Sequence, residues 1–207
     1  NAVREGRLYS ILKPKYRALD PLLLACEEMA ERLCKSADYG HELALWSSKL
    51  FKNPNWTLGN NKAFSRLREA GCLISDVAWA SHPSWRAETV RRVVLTAPFS
   101  GIRHEERVFL AHAIAYRHEV GGAEEKYGPL DLCESDRRLA RAMGLSFRLA
   151  HSLSASLPGA LPMTRIRAGR NYLTLKIDPS RAELMGPIIS KRLAAVAVEL
   201  DLKPRVE

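Results

Sequence analysis

The sequence predicts a mainly α-helical protein that ends in a small β-hairpin followed by a helix. Apolar residues recur at three- and four-residue spacing through most of the first 157 positions, the period of a helix with one buried face. Breaks at Pro14, Pro83, Pro98 and Gly121-Gly122 cut that pattern into helix-length pieces. After Pro158-Gly-Ala-Leu-Pro162 the period drops to two over residues 164–177, and a helical stripe then resumes. The chain therefore divides into a helical domain, 1–157, and a hairpin-plus-helix appendage, 158–207.

Taken in order, residues 3–13 read as a short helix stopped by Pro14, with a basic cluster at Lys13, Lys15 and Arg17. Asp20-Pro21 is a helix start, an acceptor side chain at the cap and a proline pre-set for the first turn. Leu22, Cys26, Met29, Ala30 and Leu33 form its stripe, with Glu27, Glu28, Glu31 and Arg32 opposite. A turn at 36–40 leads to a helix over 41–52, opened by His41 and carrying Leu43, Leu45, Trp46 and Leu50. The Asn/Pro/Gly-rich run Asn53–Asn61 is a loop. A helix from Lys62 carries Phe64, Leu67, Ala70 and Leu73. Residues 84–95 and 103–118 form the next two helices, the first with Val90, Val93 and Val94 for the core and Arg86, Arg91 and Arg92 at polar positions. His104 and His112 sit on roughly one face of the second. A polar loop with Glu124 and Glu125 precedes a helix over 134–156, with Leu139, Met143, Ser146, Leu149 and Leu153 inward and Arg137, Arg141 and Arg148 on the other side. The hairpin pairs 164–168 with 172–177 around Gly169, decorated by Arg165, Arg167 and Arg170. Ser180-Arg-Ala-Glu183 has the capping-box pattern and opens the last helix, which Gly186-Pro187 interrupts; Ile189, Leu193, Val196 and Leu200 complete its stripe.

With 207 residues, 46% hydrophobic and 27% charged, the chain can build a core of its own. Its net charge of +9 points to a polyanionic partner such as nucleic acid, a phosphate polymer or an acidic surface. The four cysteines form no CxxC pair, and Cys26 and Cys34 lie eight apart in one helix, about 12 Å and too far to bridge. They read as reduced thiols of a cytoplasmic protein. No signal peptide is visible and no apolar run reaches the roughly 20 residues that span a bilayer, so no membrane partner is expected. A first residue that is Asn rather than Met suggests a processed chain or a piece of a longer one.

The informative stretch is Gly71–Glu88, where Asp76 stands in an apolar run just before the His82-Pro83 break. An unpaired buried carboxylate costs several kcal/mol, so Asp76 needs a partner. The structural reading gives it a nearby Arg, Trp or backbone donor, and is the commoner case. The functional reading is a metal or phosphate site where His41, Asp76, His82 and His104 converge. The paired histidines His104 and His112, with no acid at ligand spacing, speak only weakly for metal.

Several segments resemble one family: Arg4-Glu-Gly-Arg-Leu-Tyr9, Asp20-Pro21-Leu22, Gly71-Cys-Leu-Ile-Ser-Asp-Val-Ala-Trp79 with His82-Pro83, Ala97-Pro-Phe-Ser-Gly-Ile-Arg-His104, Gly144-Leu-Ser-Phe-Arg-Leu-Ala150 and Leu157-Pro-Gly-Ala-Leu-Pro162. Together they are similar to the C-terminal module of the exopolyphosphatase / guanosine pentaphosphate phosphatase (Ppx/GppA) family. The resemblance implies an HD-like helical bundle that grips polyphosphate, closes a channel and supports a homodimer. It places the hydrolytic residues in an absent N-terminal catalytic half, whose parent enzyme could use a divalent metal such as Mg; this chain itself would hold no cofactor and no catalytic residue. Against the HD metal pattern, His41 matches the first His and Asp76 the Asp of the His-Asp pair. Ser75 stands where the pair's His belongs, and His151 near the final Asp. A hydroxyl is a poor stand-in for imidazole on a transition metal, so these positions read as degenerate.

The mechanism expected is electrostatic, because a cationic groove releases counterions when it takes up a phosphate polymer and arginine's planar fork suits phosphate oxygens. Candidate contacts are Arg86, Arg91, Arg103, Arg137, Arg141, Arg148, Arg165 and Arg167, with His82 and His104 adding hydrogen bonds. Two alternatives stand beside this: a metal-dependent HD phosphohydrolase built on His41, Asp76 and His82, and a basic nucleic-acid-binding helical module. The latter has no basic–aromatic interleaving in the sequence to support it.

Overall fold

A computed structural model describes residues 19–51, 62–118 and 132–207. The helix expected over 3–13, the basic cluster Lys13, Lys15 and Arg17, the Asn53–Asn61 loop and the Glu124–Glu125 loop lie outside the described residues. So does the first of the segments that carry the family resemblance.

The described part is mostly helical with a small sheet. Helix α1, Pro21–Leu33, starts where Asp20 accepts from the amides of Leu22 (2.9 Å) and Leu23 (3.4 Å), with proline at the first turn. Helix α2, Ala37–Ser47, is capped by Ser36, so His41 lies inside it and not at its start as the sequence suggested. A hydroxyl at the cap outcompetes the later histidine for the first free amides. Leu45 of α2 is 77% exposed and takes no part in the core. Helix α3 is Lys62–Leu73. A run of turns over 74–80 and a 3₁₀ turn at Pro83–Trp85 lead into α4, Arg86–Thr96. Helix α5, His104–Tyr116, is buried continuously from Val108 onward. Helix α6, Glu134–Ser154, is the longest described.

Strands β1, Thr164–Ala168, and β2, Tyr172–Ile177, form the expected antiparallel hairpin, with Thr164 opposite Ile177 and Ala168 opposite Leu173. The end of the chain departs from the sequence reading in two ways. The pattern at Ser180–Glu183 makes only a 3₁₀ segment, Pro179–Leu184, whose cap is Asp178. The last helix, α7, begins afresh at Pro187 and runs to Glu199, because extended Gly186 ends one segment and proline's locked φ starts the next. Beyond it lies an unforeseen strand, β3, Lys203–Val206, which pairs in parallel with β2 and gives the sheet order β1-β2-β3.

One apolar cluster runs from Leu22 of α1 to Leu202 before β3, through both segments of the chain. Helix α5 packs between α4 and α6, and α7 lies on α6. The α5–α6 contact is close because residue 144 is glycine: a Cβ there would sit 2.2 Å from the Ala113 carbonyl oxygen and 2.5 Å from Tyr116 Cβ. A buried hydrogen bond from Trp46 Nε1 to Thr164 Oγ1 (2.9 Å) ties α2 to the hairpin. Several arginines serve the fold itself. Arg66 pairs with the α1 cap Asp20, and Arg68 donates to the Ala44 carbonyl (2.6 Å). Arg107 donates to the carbonyls of Val94 (3.0 Å), Ala97 (2.6 Å) and Phe99 (3.2 Å), closing the C-terminal end of α4.

Candidate functional site

Asp76 is 4% exposed, and its partner is Arg117, the residue that follows α5. Arg117 Nη2 donates to Asp76 Oδ1 at 2.6 Å, and Nη1 donates to the Ser75 carbonyl. Nη2 also lies 3.0 Å from Ser156 Oγ and 3.1 Å from His151 Nδ1. Toward a guanidinium, Nδ1 can only accept, so His151 carries its proton on Nε2. Ser156 Oγ is 2.9 Å from the same Nδ1 and closes the cluster. Two consecutive left-handed residues after α6, Ala155 (φ 52°) and Ser156 (φ 57°), turn that hydroxyl inward. Thus three of the four positions that the sequence aligned with the HD pattern, Ser75, Asp76 and His151, meet on one guanidinium. The fourth, His41, is exposed on α2.

In front of this cluster opens a cavity of about 150 Å³ lined by Pro83, Arg86, Arg117, His118, Arg148, His151 and Arg192. Arg86 comes from the start of α4, Arg117 and His118 from the turn after α5, Arg148 and His151 from α6 and Arg192 from α7. Arg86 is fixed by donating to the carbonyls of Ser81 (3.0 Å) and Trp79 (2.9 Å). Arg192 donates to the Arg148 carbonyl (3.1 Å). Every ionisable group on the lining is a base, and among the described residues Arg86, Arg148 and Arg192 have no carboxylate in ion-pair range. A second cavity of about 470 Å³, lined by Leu145, Arg148, Ile188, Lys191, Arg192 and Ala195, shares Arg148 and Arg192 with the first.

The titration of the lining follows from this crowding. Burial, then the Arg117 charge, pushes His118 down to about 3 and His151 down to about 4. Burial, then the Arg148 charge, lowers the Arg192 pKa. His118 Nε2 is buried without a hydrogen-bond partner among the described residues. At neutral pH the site is therefore three uncompensated guanidiniums and two neutral imidazoles around a fourth guanidinium already paired inward, a setting that favours a phosphate-like dianion.

Of the residues singled out in the sequence, the cavity gathers Arg86, Arg148 and His151. The others lie elsewhere. Arg91, placed at a polar position by the sequence, is buried at 6% on the side of α4 that faces α5, 3.4 Å from His112 Nδ1. Burial, then that arginine, lowers His112 to about 4. Arg103 caps α5 and pairs with Glu106 (3.4 Å). Arg137 pairs with Glu134 (3.5 Å), and Arg141 lies between Glu134 (3.1 Å) and Glu199 (3.4 Å). Arg165 and Arg167 point outward from β1. His82 is exposed, its Nδ1 accepting from the Ser84 amide (3.4 Å), and His104 is exposed at the first turn of α5. His41, Asp76, His82 and His104 do not converge, and no group of three His, Cys, Asp or Glu able to hold a metal occurs among the described residues. Of the three such positions with metal-binding side chains, Asp76 and His151 are engaged by Arg117 and His41 stands apart on the surface of α2, so the residues present do not fit a metal. Arg117, His118 and Arg192 were missed. A signal existed for Arg117: a buried Asp76 demands a cation, and Arg117 ends an otherwise apolar helix.

A family model described as exopolyphosphatase, C-terminal, matches residues 22–202. The chain belongs to that family. The match takes in every described element that lines the cavity, from Arg86 to Arg192, and stops short of β3. No curated protein matches the chain. No described helix is long and apolar enough to cross a membrane.

Proposed function

We propose that this chain is the polyphosphate-gripping module of an exopolyphosphatase-type protein, and that the cavity between α4, α5, α6 and α7 holds a phosphate unit of the polymer. The observation that carries this reading is the cavity's lining of Arg86, Arg117, Arg148 and Arg192, with Asp76, the one nearby acid among the described residues, turned inward onto Arg117. Arg148 and Arg192 grip the ligand by bidentate charge-assisted bonds. Arg117, held by Asp76 and Ser156, supplies a fixed positive floor, and Arg86 braces the rim from the 79–86 turn. Hydrolysis belongs to the N-terminal catalytic half of the parent protein, so this chain alone does not release phosphate. The helical body is an HD-type bundle whose ligand set has been replaced by an arginine, and two copies associate through it.

Calorimetric titration of the chain with tripolyphosphate, at rising salt, tests the gripping role. Binding is expected to weaken steeply with salt and to be lost in Arg148→Glu and Arg192→Glu, while phosphate release stays at background. Equal affinity in the two variants, or phosphate release by the chain alone, refutes it. Sedimentation measures the self-association.

A further inference from the structure

The sheet turns one face to the core and the other to solvent. Strand alternation buries Ile166, Ala168, Leu173, Leu175 and Ile177 and points Arg165, Arg167, Tyr172 and Lys176 outward. Parallel pairing of β3 then adds Lys203 and Arg205. The register sets Arg165 opposite Lys176, Thr174 between Arg167 and Arg205, and Tyr172 opposite Lys203. Like charges directly opposite one another destabilise a sheet. Among the described residues Arg165, Arg167, Lys176 and Lys203 have no ion pair, and Arg205 reaches only Glu207, at 3.7 Å. The Arg205 guanidinium lies 4.0 Å from the Tyr172 ring centroid, and Tyr172 is still 37% exposed.

We propose that this face is a binding platform for single-stranded nucleic acid, with the cations on successive phosphates and Tyr172 stacked on a base. A row of cations kept together against its own repulsion is matched by a polyanion. Two features favour a nucleic acid over an inorganic phosphate chain. With Arg205 over the Tyr172 ring, the part of the ring that is still exposed gains an aromatic partner only if the ligand carries bases. The cations also lie on an open surface, about 7 Å apart along a strand and about 5 Å across strands, so they track an extended backbone and do not enclose one phosphate as the helical cavity does. Lys203 and Arg205 are remote from Tyr172 in sequence, so this basic–aromatic interleaving exists only once β3 pairs with β2.

The test is fluorescence anisotropy of the full chain with a labelled oligouridylate of about 12 nucleotides. The double variant Arg165→Glu/Arg167→Glu replaces the Arg165–Lys176 repulsion with an opposite-charge pair, so it is expected to fold at least as stably as the parent. It should lose at least about tenfold in oligouridylate affinity and keep its tripolyphosphate affinity. Tyr172→Ala should lose about tenfold by removing one stacked base. Arg148→Glu, in the helical cavity, should bind the oligouridylate as the parent does. The proposal fails if the parent chain does not bind the oligouridylate, if the double variant binds it as the parent does, or if binding is lost in Arg148→Glu instead.

Discussion

The two ends of α6 carry the same residue type in opposite electrostatic settings. Toward its start, Arg137 and Arg141 share Glu134, Arg141 also reaches Glu199, and Arg138 reaches Asp201 at 2.7 Å. Toward its end, Arg148 and His151 face Arg86, Arg117 and Arg192, and the one acid at hand among the described residues, Asp76, is buried behind them. Arginines near the surface that are answered by acids contribute about 1 kcal/mol or less each to stability and leave little field for a ligand. Arginines facing one another across a cavity cost the fold something and are compensated when an anion arrives. Counting cations along the helix cannot separate these cases, because apart from Glu134 of α6 itself the partners come from α4, the turn after α5, α7 and the turn after α7.

The largest test of the contrast removes the hidden acid. Asp76→Ala leaves the Arg117 charge buried and unpaired, and is expected to lower stability by about 3–5 kcal/mol in denaturant unfolding. A loss below about 1 kcal/mol would mean that Arg117 is solvated like the arginines at the start of α6. Next, Gly144→Ala forces α5 away from the middle of α6, where a Cβ would also lie 3.2 Å from the Arg117 amide nitrogen. It should cost about 1–3 kcal/mol and weaken tripolyphosphate binding by moving Arg117 and His118; a stability loss with unchanged affinity would uncouple the helix contact from the cavity.

The contrast is sharpest in a matched pair. Arg148→Gln should lose about tenfold or more in tripolyphosphate affinity, the worth of a charge-assisted hydrogen bond, whereas Arg141→Gln should change it by less than about twofold. Equal losses would show that the ligand reads overall charge. The pH profile follows from the lowered histidines. His118, His151 and His112 bind protons more readily unfolded, near 6.5, than folded, at about 3, 4 and 4. The unfolded chain therefore holds more protons below pH 6.5, and stability should fall as pH drops from about 6.5 toward 4. A denaturant midpoint flat across that window would contradict the buried, cation-crowded setting. Smallest is the expected gain from Ala155→Gly, about 0.5–1 kcal/mol, since the left-handed residue ending α6 is one that glycine adopts without strain.

Much of this architecture was legible residue by residue. Asp20-Pro21 announced α1, the stripe Leu139–Leu153 announced the buried side of α6, and alternation announced the two hairpin strands, because caps, stripes and pleats depend on neighbours in the chain. Local pattern also showed that Asp76 must be paired. It misplaced the start of α2, where Ser36 capped ahead of His41, and joined two segments that Gly186-Pro187 keeps apart. Arg91 and Arg148 looked alike on their helices, and only the packing of α4 on α5 put one in the core while α7 put the other on the cavity wall.

The sequence by itself determined the helical body, the hairpin, the positive charge and the family to which the chain belongs, since each rests on composition or on contacts a few residues long. Tertiary structure alone decided that Arg117 fills the centre of Ser75, Asp76 and His151, that Arg86, Arg148 and Arg192 meet no acid among the described residues, and that β3 brings Lys203 and Arg205 beside Tyr172. Those outcomes depend on which charges meet across distances in the chain that no local pattern records.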